Sequence, residues 1–321
     1  RSDLFERHVA GRRGMVRAPA EGLPMLAAEL AACGITTACL AQYWSWEGGQ
    51  RGPEAAKALA AALADHAGPV DLRIQLRVET HMIADFNAIA RFVRAAGIGY
   101  LVFNDHLPHK ALARGKRPER LTGAALRAGR SPEAHLELIR ALAANGPQVP
   151  LALARLVAEL PPVVLGSHDD ADARMREGYA ALGAEVAEFP LFAPEAGPVV
   201  MGAPNVLRGG SHGRGPDAAA MVRAGRCGVL ASDYHYPAML DAVRRLVAEG
   251  MALPEAWDLV SGAPARMLGL ADRGHLAEGA RGDVVLLDAG TLELHATFAA
   301  GQPVWLSPMM AGRLLAAGTG R

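Results

Sequence analysis

Residues that can bind a metal ion or move a proton recur at the ends of short apolar runs. Glu79 closes LRIQLRVE, Asp105 and His106 follow LVFN, and His168 closes VVLGSH. Asp3 lies near the start of the chain, Asn205 ends VVMGAPN and Asp233 ends CGVLASD. Imidazole suits ions such as Zn and Fe, and carboxylate suits Mn. The recurrence therefore favours a site for a divalent metal ion, which lowers the pKa of a bound water and polarises the bond that is attacked.

The elements that must position these residues follow from hydrophobic patterning. Apolar runs rich in branched residues alternate with Ala, Leu and Arg stretches of helical period, which is typical of a parallel sheet wrapped by helices. An eighth strand is expected around RSDLF, so we predict a (β/α)8 TIM barrel with its active site at the C-terminal strand ends. The seven other predicted strands are 34–42, 70–79, 98–105, 162–168, 184–190, 199–205 and 227–233. The predicted helices are 21–33, 53–66, 83–96, 132–144, 169–182, 216–225 and 237–250.

The chain changes character after residue 252. Two short helices are expected first, and turn glycines with short alternating strands then indicate a small β appendage. We predict a barrel domain over 1–271, a small β domain over 272–305 and a helical or frayed tail over 306–321.

Composition limits the class of protein. The 321 residues are 51% hydrophobic, and 33 basic side chains balance 33 acidic ones, which argues against a nucleic-acid partner. Cys33, Cys39 and Cys227 are too few and too irregularly spaced for a disulfide framework, so buried free thiols are expected. Since no apolar stretch has the ~20 residues of a membrane span and no signal-peptide core is evident, we expect a cytoplasmic protein without a membrane partner. Homo-oligomer formation stays open.

Two segments carry the charge that a phosphate chain would need. In VVMGAPNVLRGGSHGRG (199–215), glycines let backbone N–H groups approach anionic oxygens, and Arg208, His212 and Arg214 add charged donors. HKALARGKRPER (109–120), which contains Lys110, directly follows the run that ends near His106. The alternatives are a glycine-rich crossover whose arginines face water and a solvated basic loop.

Taken together, the sequence resembles the amidohydrolase superfamily. Within it, the chain is similar to the alpha-D-ribose 1-methylphosphonate 5-triphosphate diphosphatase family of phosphonate metabolism. GITT and the later ARMLGL and GDVVLLD runs mark only the wider superfamily. The specific combination is GSHDD, AEFP and GAPNVLRGGSH. The resemblance implies a metal-dependent barrel with a small β-sandwich, and cleavage of a ribosyl 5-triphosphate to the 5-phosphate and pyrophosphate. The N-terminal half of that sandwich is expected to be missing from this chain.

The resemblance also implies roles for individual residues. Arg1 stands where the family has a strand-one histidine. Asp233 would also accept a proton during catalysis, with His212 as a second catalytic residue. From the chemistry of the two basic segments, rather than from the resemblance, we expect Asn205, Arg208, His212, Arg214 and Lys110 to bind substrate. The implied ligands of one or two ions, Zn, Mn or Fe, are Asp3, Glu79, His106, His168 and Asp233.

Simpler roles exist for four of these residues. Glu79 could pair with Arg77 or Arg73, and His106 could be a packed core histidine. His168 could take part in capping the next helix, and Asp233 could cap the helix at 237–250.

Two other functions also remain open. One is amide or cyclic-amide hydrolysis, the commoner superfamily chemistry, which would not need so many basic groups. The other is a non-catalytic barrel that binds a phosphorylated ligand.

Overall fold

The computed structural model of the protein describes residues 18–195, 197–210 and 215–318. Within them, seven parallel strands form one curled sheet in which each strand pairs with the next along the chain. The strands are β1 (Thr37–Trp44), β2 (Asp71–Glu79), β3 (Tyr100–Asn104), β4 (Val164–His168), β5 (Val186–Glu188), β6 (Val199–Gly202) and β7 (Val229–Ala231). This order confirms the predicted barrel class; the strand expected around RSDLF lies outside the described residues.

Helices cover the outside of the sheet, and all seven helices predicted between the strands are present. The helices up to β4 are α1 (Pro19–Ala32), α2 (Pro53–Ala64), α3 (Phe86–Ala95), α4 (His109–Ala113), α5 (Leu121–Arg127), α6 (Pro132–Ala144) and α7 (Val149–Glu159). Those after β4 are α8 (Ala173–Ala180), α9 (Ala203–Arg208), α10 (Ala218–Arg223), α11 (Ala238–Ala248), α12 (Leu253–Asp258) and α13 (Gly262–Met267). Short 3-10 turns lie at Gly49–Arg51, Ile83–Asp85 and Gly146–Gln148.

The core forms because the apolar spacing of each helix matches its sheet-facing side. Leu23, Leu26 and Leu30 recur every three or four residues of α1, so they share one face and are fully buried. They belong to the same cluster as Leu76 and Val78 of β2. Strand β3 is buried along its whole length, as expected for a central parallel strand covered on both faces.

The structure differs from the predicted elements in several places. Residues 203–205, predicted as the end of a strand, begin helix α9 instead. Pro204 lies in its first turn, where a missing N–H costs nothing, and Gly209 follows its end with φ of 72°, a left-handed conformation that glycine adopts readily. Helix α7 was not predicted, and the basic segment 109–120 begins as the short helix α4 rather than as an open loop.

The predicted β appendage is present as a small antiparallel sheet. Its strands, β8 (Val284–Leu287), β9 (Leu294–Ala299) and β10 (Gln302–Leu306), lie in the order β10-β9-β8, and helix α14 (Pro308–Gly318) follows. Thr297 donates its hydroxyl to the carbonyl of Ala31 at 2.8 Å, and Arg273 forms an ion pair with Asp71 at 2.6 Å. Strand β9 is therefore tied to α1, and the segment before β8 is tied to β2. The domain boundaries at 271 and 305 stay a prediction.

Two further predictions concern the state of the cysteines and membrane-spanning helices. Cys33, Cys39 and Cys227 are free thiols, as predicted, although only Cys227 is fully buried. Burial raises the pKa of the Cys227 thiol to about 11. Among the residues described, no helix combines the length and apolar character that crossing a bilayer requires.

Candidate metal centre

Glu79 is the buried carboxylate of the candidate centre. It ends β2, and its side chain is fully buried. Its Oε2 atom accepts hydrogen bonds from the indole N–H of Trp46 at 3.2 Å and from the backbone N–H of His106 at 3.1 Å. Its Oε1 atom lies 2.6 Å from Nδ1 of His106. One carboxylate oxygen is thus fixed by two donors, and the other faces the imidazole.

Three ligand atoms at the candidate centre have close neighbours but no well-oriented hydrogen bond. Among the described residues, the buried atoms Oε1 of Glu79, Nδ1 of His106 and Nδ1 of His168 have no hydrogen-bond partner of acceptable geometry. Buried polar atoms are almost always paired, because an unpaired one forfeits its interaction with water. Oε1 of Glu79 and Nδ1 of His106 face each other at 2.6 Å, and Nδ1 of His168 lies 3.3 Å from Oδ2 of Asp169, so a cation bound here would replace these ion-pair contacts.

His106 and His168 lie close to each other. A first group consists of His106, His168 and Asp169, whose ligand atoms, one from each residue, all lie within 4.8 Å of one another. A second group, Glu47, Glu79 and His106, has its ligand atoms within the same distance. His106 is common to both groups. The two groups therefore join the ends of β2, β3 and β4 with the residues that follow β1.

The sheet register explains why these side chains meet. Glu79 pairs with Asn104, two residues before His106, and Phe103 pairs with Ser167, which precedes His168. Since neighbouring parallel strands end at the same level, residues at or just after their ends project into one mouth.

The two imidazoles have opposite pKa shifts. Burial would lower the pKa of His106, but the adjacent carboxylates of Glu79 and Glu47 raise it above its ordinary value. Burial lowers the pKa of His168, and the positive charge of Arg77 lowers it further despite the opposing effect of Asp169. His168 is therefore neutral near pH 7, the state in which imidazole binds metal.

A buried polar network lies inside the sheet next to these residues. Arg77 contacts Glu188 at 3.1 Å and donates to the hydroxyl of Tyr43 at 3.1 Å. Glu188 also accepts from the hydroxyl of Tyr100 at 2.7 Å and from the amide of Gln75. Burial, with the charge of Glu188, holds the pKa of Tyr100 well above its usual value. Glu188, the carboxylate of the AEFP motif, thus neutralises the buried guanidinium of Arg77.

Three strand ends carry a non-glycine residue in the left-handed region of backbone conformation. Asp169 follows β4 with φ of 57°, Phe189 follows β5 with φ of 50°, and Asp233 lies two residues after β7 with φ of 51°. Such conformations cost energy and concentrate at functional sites. Here they turn the chain sharply at the edge where Glu79, His106 and His168 lie.

Asp233 lies two residues after the end of β7. Among the described residues, the three clusters of His and carboxylate atoms close enough to share an ion do not include it. Together with Arg77, Glu188 and Phe189 it lines a cavity of about 790 Å³. Helix α11 begins after Pro237, so Asp233 is not its N-cap.

The predicted substrate-binding residues are dispersed over the described part of the chain. Asn205 is buried in α9, and Arg208 is exposed at the end of that helix. Lys110 is exposed in the first turn of α4. Asp3, His212 and Arg214 lie outside the described residues. All of the predicted site roles stay predictions.

Other residues fill the simpler roles that were considered for Glu79 and His168. Arg73 pairs with Asp71, and Arg77 pairs with Glu188 rather than Glu79. Asp172, not His168, caps helix α8.

Sequence reasoning missed Trp46 and Glu47, which follow β1. The signal for Glu47 was a carboxylate near the end of an apolar run, as for Glu79, whereas Trp46 gave no distinguishing signal.

Comparison with known proteins adds to this geometry. No family model matches the chain. It is 40% identical over 144 residues to the alpha-D-ribose 1-methylphosphonate 5-triphosphate diphosphatase of Escherichia coli strain K12. The aligned stretch covers 41% of this chain and 38% of that enzyme. The resemblance to this diphosphatase is confirmed over these 144 residues.

Solved structures support the fold. N-acetylglucosamine-6-phosphate deacetylase from Thermotoga maritima is 15% identical, with a TM-score of 0.56 over 90% of this chain and 84% of that one. The deacetylase from Pasteurella multocida is 10% identical, with a TM-score of 0.57 over 90% and 80%. Beta-aspartyl dipeptidase from Fervidobacterium islandicum is 14% identical, with a TM-score of 0.53 over 88% and 77%. At these identities the likeness establishes only the shared barrel fold.

Proposed function

We propose that the protein is a metal-dependent hydrolase that cleaves alpha-D-ribose 1-methylphosphonate 5-triphosphate, or a similar ribosyl triphosphate, to the 5-phosphate and pyrophosphate. The observation that carries this proposal is the convergence of ligand atoms from Glu47, Glu79, His106, His168 and Asp169 in two groups that share His106. The likeness to the bacterial diphosphatase over 144 residues supports the choice of substrate.

Glu79, His106 and His168 are the residues that would hold the ion, with Asp3 and Asp233 as further proposed ligands. Two imidazoles with carboxylates suit Zn, Mn or Fe. An ion of this kind lowers the pKa of a water and draws charge from a phosphoryl oxygen. The chain's own contribution is to fix the carboxylate of Glu79 through Trp46 and the backbone of His106.

Asp233 is the proposed proton acceptor. It lies after β7, and its left-handed backbone conformation turns the chain at the strand end. A carboxylate at this position can take the proton that the attacking water loses. His212 is proposed as a second residue of the catalytic step.

Positive charge near the mouth would serve the phosphate chain. The pyrophosphate leaving group gains charge as the anhydride bond breaks, so cationic donors stabilise the transition state. Arg208 and Lys110 are exposed and can reach a ligand from solvent, and we assign Asn205, His212 and Arg214 to the same role.

The test is pyrophosphate release by the metal-loaded protein. We expect release from a ribosyl 5-triphosphate, and no hydrolysis of the amide bond of a β-aspartyl dipeptide or of N-acetylglucosamine 6-phosphate. Glu79→Gln should abolish turnover, and the matched control Glu185→Gln, on an exposed side chain just before β5, should not. Hydrolysis of an amide substrate without pyrophosphate release from any triphosphate would overturn the proposal.

A further inference from the structure

A second group of imidazole and carboxylate side chains lies beside the candidate centre. It consists of His81, Asp105 and His109, each of which offers one ligand atom within 4.8 Å of the others. Asp105 directly precedes His106 in the chain, but its carboxylate contacts different partners. Nε2 of His109 lies 2.8 and 2.7 Å from its two oxygens, and Nδ1 of His81 lies 3.6 Å from Oδ1.

The group is held in place by its surroundings. His81 is buried, and its backbone carbonyl accepts a hydrogen bond from the side-chain amide of Asn145 at 3.1 Å. The backbone N–H of Leu107 donates to Oδ1 of Asp105 at 3.2 Å. These contacts orient the imidazole and the carboxylate before any ligand arrives, which is the role that outer partners have in metal sites.

The group is also open to solvent on one side. The side chain of His109 is 51% exposed and that of Asp105 is 16% exposed. An ion could therefore enter past His109 and keep one coordination position for water or a ligand.

We propose that His81, Asp105 and His109 form a second divalent-cation site, separate from the one at Glu79, His106 and His168. Two nitrogens and one oxygen with an open fourth position are the ligand set of a tetrahedral zinc ion, with distances near ~2.0–2.2 Å. A ligand spread within 4.8 Å is compatible with that radius after a small opening of the His109–Asp105 contact. This inference does not rest on the proposed function.

An ion bound at this site would fix the start of the basic segment 109–120. His109 is the first residue of α4, and Lys110 follows it. The other two ligands come from the ends of β2 and β3, so the ion would join α4 to the rigid sheet. Lys110 would then be held near the mouth.

The experiment measures zinc binding to the intact protein. Metal-free protein is titrated with Zn²⁺ against a chromogenic chelator, and bound zinc is counted by elemental analysis. We compare the unmodified protein, His109→Ala, His81→Gln and Glu79→Gln. The matched control is His275→Ala, because His275 is an exposed histidine outside every cluster found among the described residues.

We expect His109→Ala and His81→Gln each to lose one equivalent of zinc while keeping the ion that Glu79→Gln removes. Their affinity at the second site should fall by more than the ~10–100-fold that loss of an outer partner costs. His275→Ala should keep both equivalents. If the His109→Ala protein, folded by circular dichroism, binds the same number of ions with the same affinity as the unmodified protein, the second site does not exist. Loss of both ions in His109→Ala but not in Glu79→Gln would also overturn it, since the two sites would then not be separate.

Discussion

Trp46 donates its indole N–H to Oε2 of Glu79 at 3.2 Å, across the ends of β1 and β2. The bond leaves Oε1 of the same carboxylate turned toward His106. Trp46 is therefore a positioning residue, since it acts on the centre through Glu79.

Trp46→Phe should weaken metal binding without unfolding the protein. Phenylalanine keeps most of the apolar packing of Trp46 against Leu107, Leu121 and Ile139 but removes the donor. Loss of an outer-shell hydrogen bond typically costs ~10–100-fold in metal affinity. Competition with a chelator measures the affinity, and thermal unfolding checks the fold.

Trp44→Phe is the matched control for this substitution. Trp44 also donates its indole N–H to a carboxylate, Oδ2 of Asp85 at 2.8 Å, but that carboxylate belongs to none of the metal-binding groups found among the described residues. Its metal affinity should be unchanged. Equal weakening in both variants would show that the effect comes from packing rather than from Glu79.

Glu188→Gln should destabilise the protein strongly. The change keeps the shape of the side chain but leaves the buried guanidinium of Arg77 without its counter-charge. Breaking one partner of a buried pair costs about 3–5 kcal/mol, because the remaining charge stays desolvated. Urea unfolding measures the change in the free energy of unfolding, with Glu185→Gln, an exposed neighbour on the same segment, as control. An unchanged midpoint would mean that Arg77 finds another partner.

Much of the candidate centre could be predicted because the ends of strands can be identified from the sequence. Glu79, His106 and His168 each end or follow a branched apolar run, and parallel strands bring such ends to one edge. Trp46 could not be identified, since an aromatic side chain near a strand end is typical of core packing as well as of hydrogen bonding. The His81, Asp105 and His109 group was missed because spacing does not show that consecutive residues, Asp105 and His106, turn toward different partners. Helix α9 was missed although Pro204 and Gly209 mark its two ends.

Asp71 should make stability depend on pH in the acid range. Burial alone would raise the pKa of Asp71, but hydrogen bonds from Arg73 and Arg273 outweigh it and hold the pKa below its ordinary value. A lowered pKa in the folded state means that the carboxylate stabilises the fold above its unfolded pKa of ~3.9. That stabilisation is lost as the pH falls through the folded value.

Asp71→Asn tests this linkage. At pH 7 the variant should melt at a lower temperature than the unmodified protein, and the difference should shrink below about pH 4, where the unfolded state takes up a proton, and disappear once the pH is below the lowered folded-state pKa. Asp65→Asn changes an exposed aspartate that follows α2 and should show no such difference. A gap in melting temperature that stays constant down to pH 3 would contradict the prediction.

Arg208→Ala should lower the specificity constant for a ribosyl triphosphate by about tenfold to a hundredfold, the range for loss of ~1.5–3 kcal/mol from a hydrogen bond to a charged group. Arg208→Lys should recover only part of the loss, because an ammonium keeps the charge but not the planar two-pronged geometry of the guanidinium. Arg226→Ala, an exposed arginine after α10, is the control and should keep full activity. Bound metal is counted in each variant so that a loss at the centre is not mistaken for a loss of substrate binding. If Arg208→Ala hydrolyses the triphosphate at the unmodified rate with its metal bound, the end of α9 does not contact the phosphate chain. The positive charge must then come from another segment, and the segment that begins at Lys110 is the next to be tested.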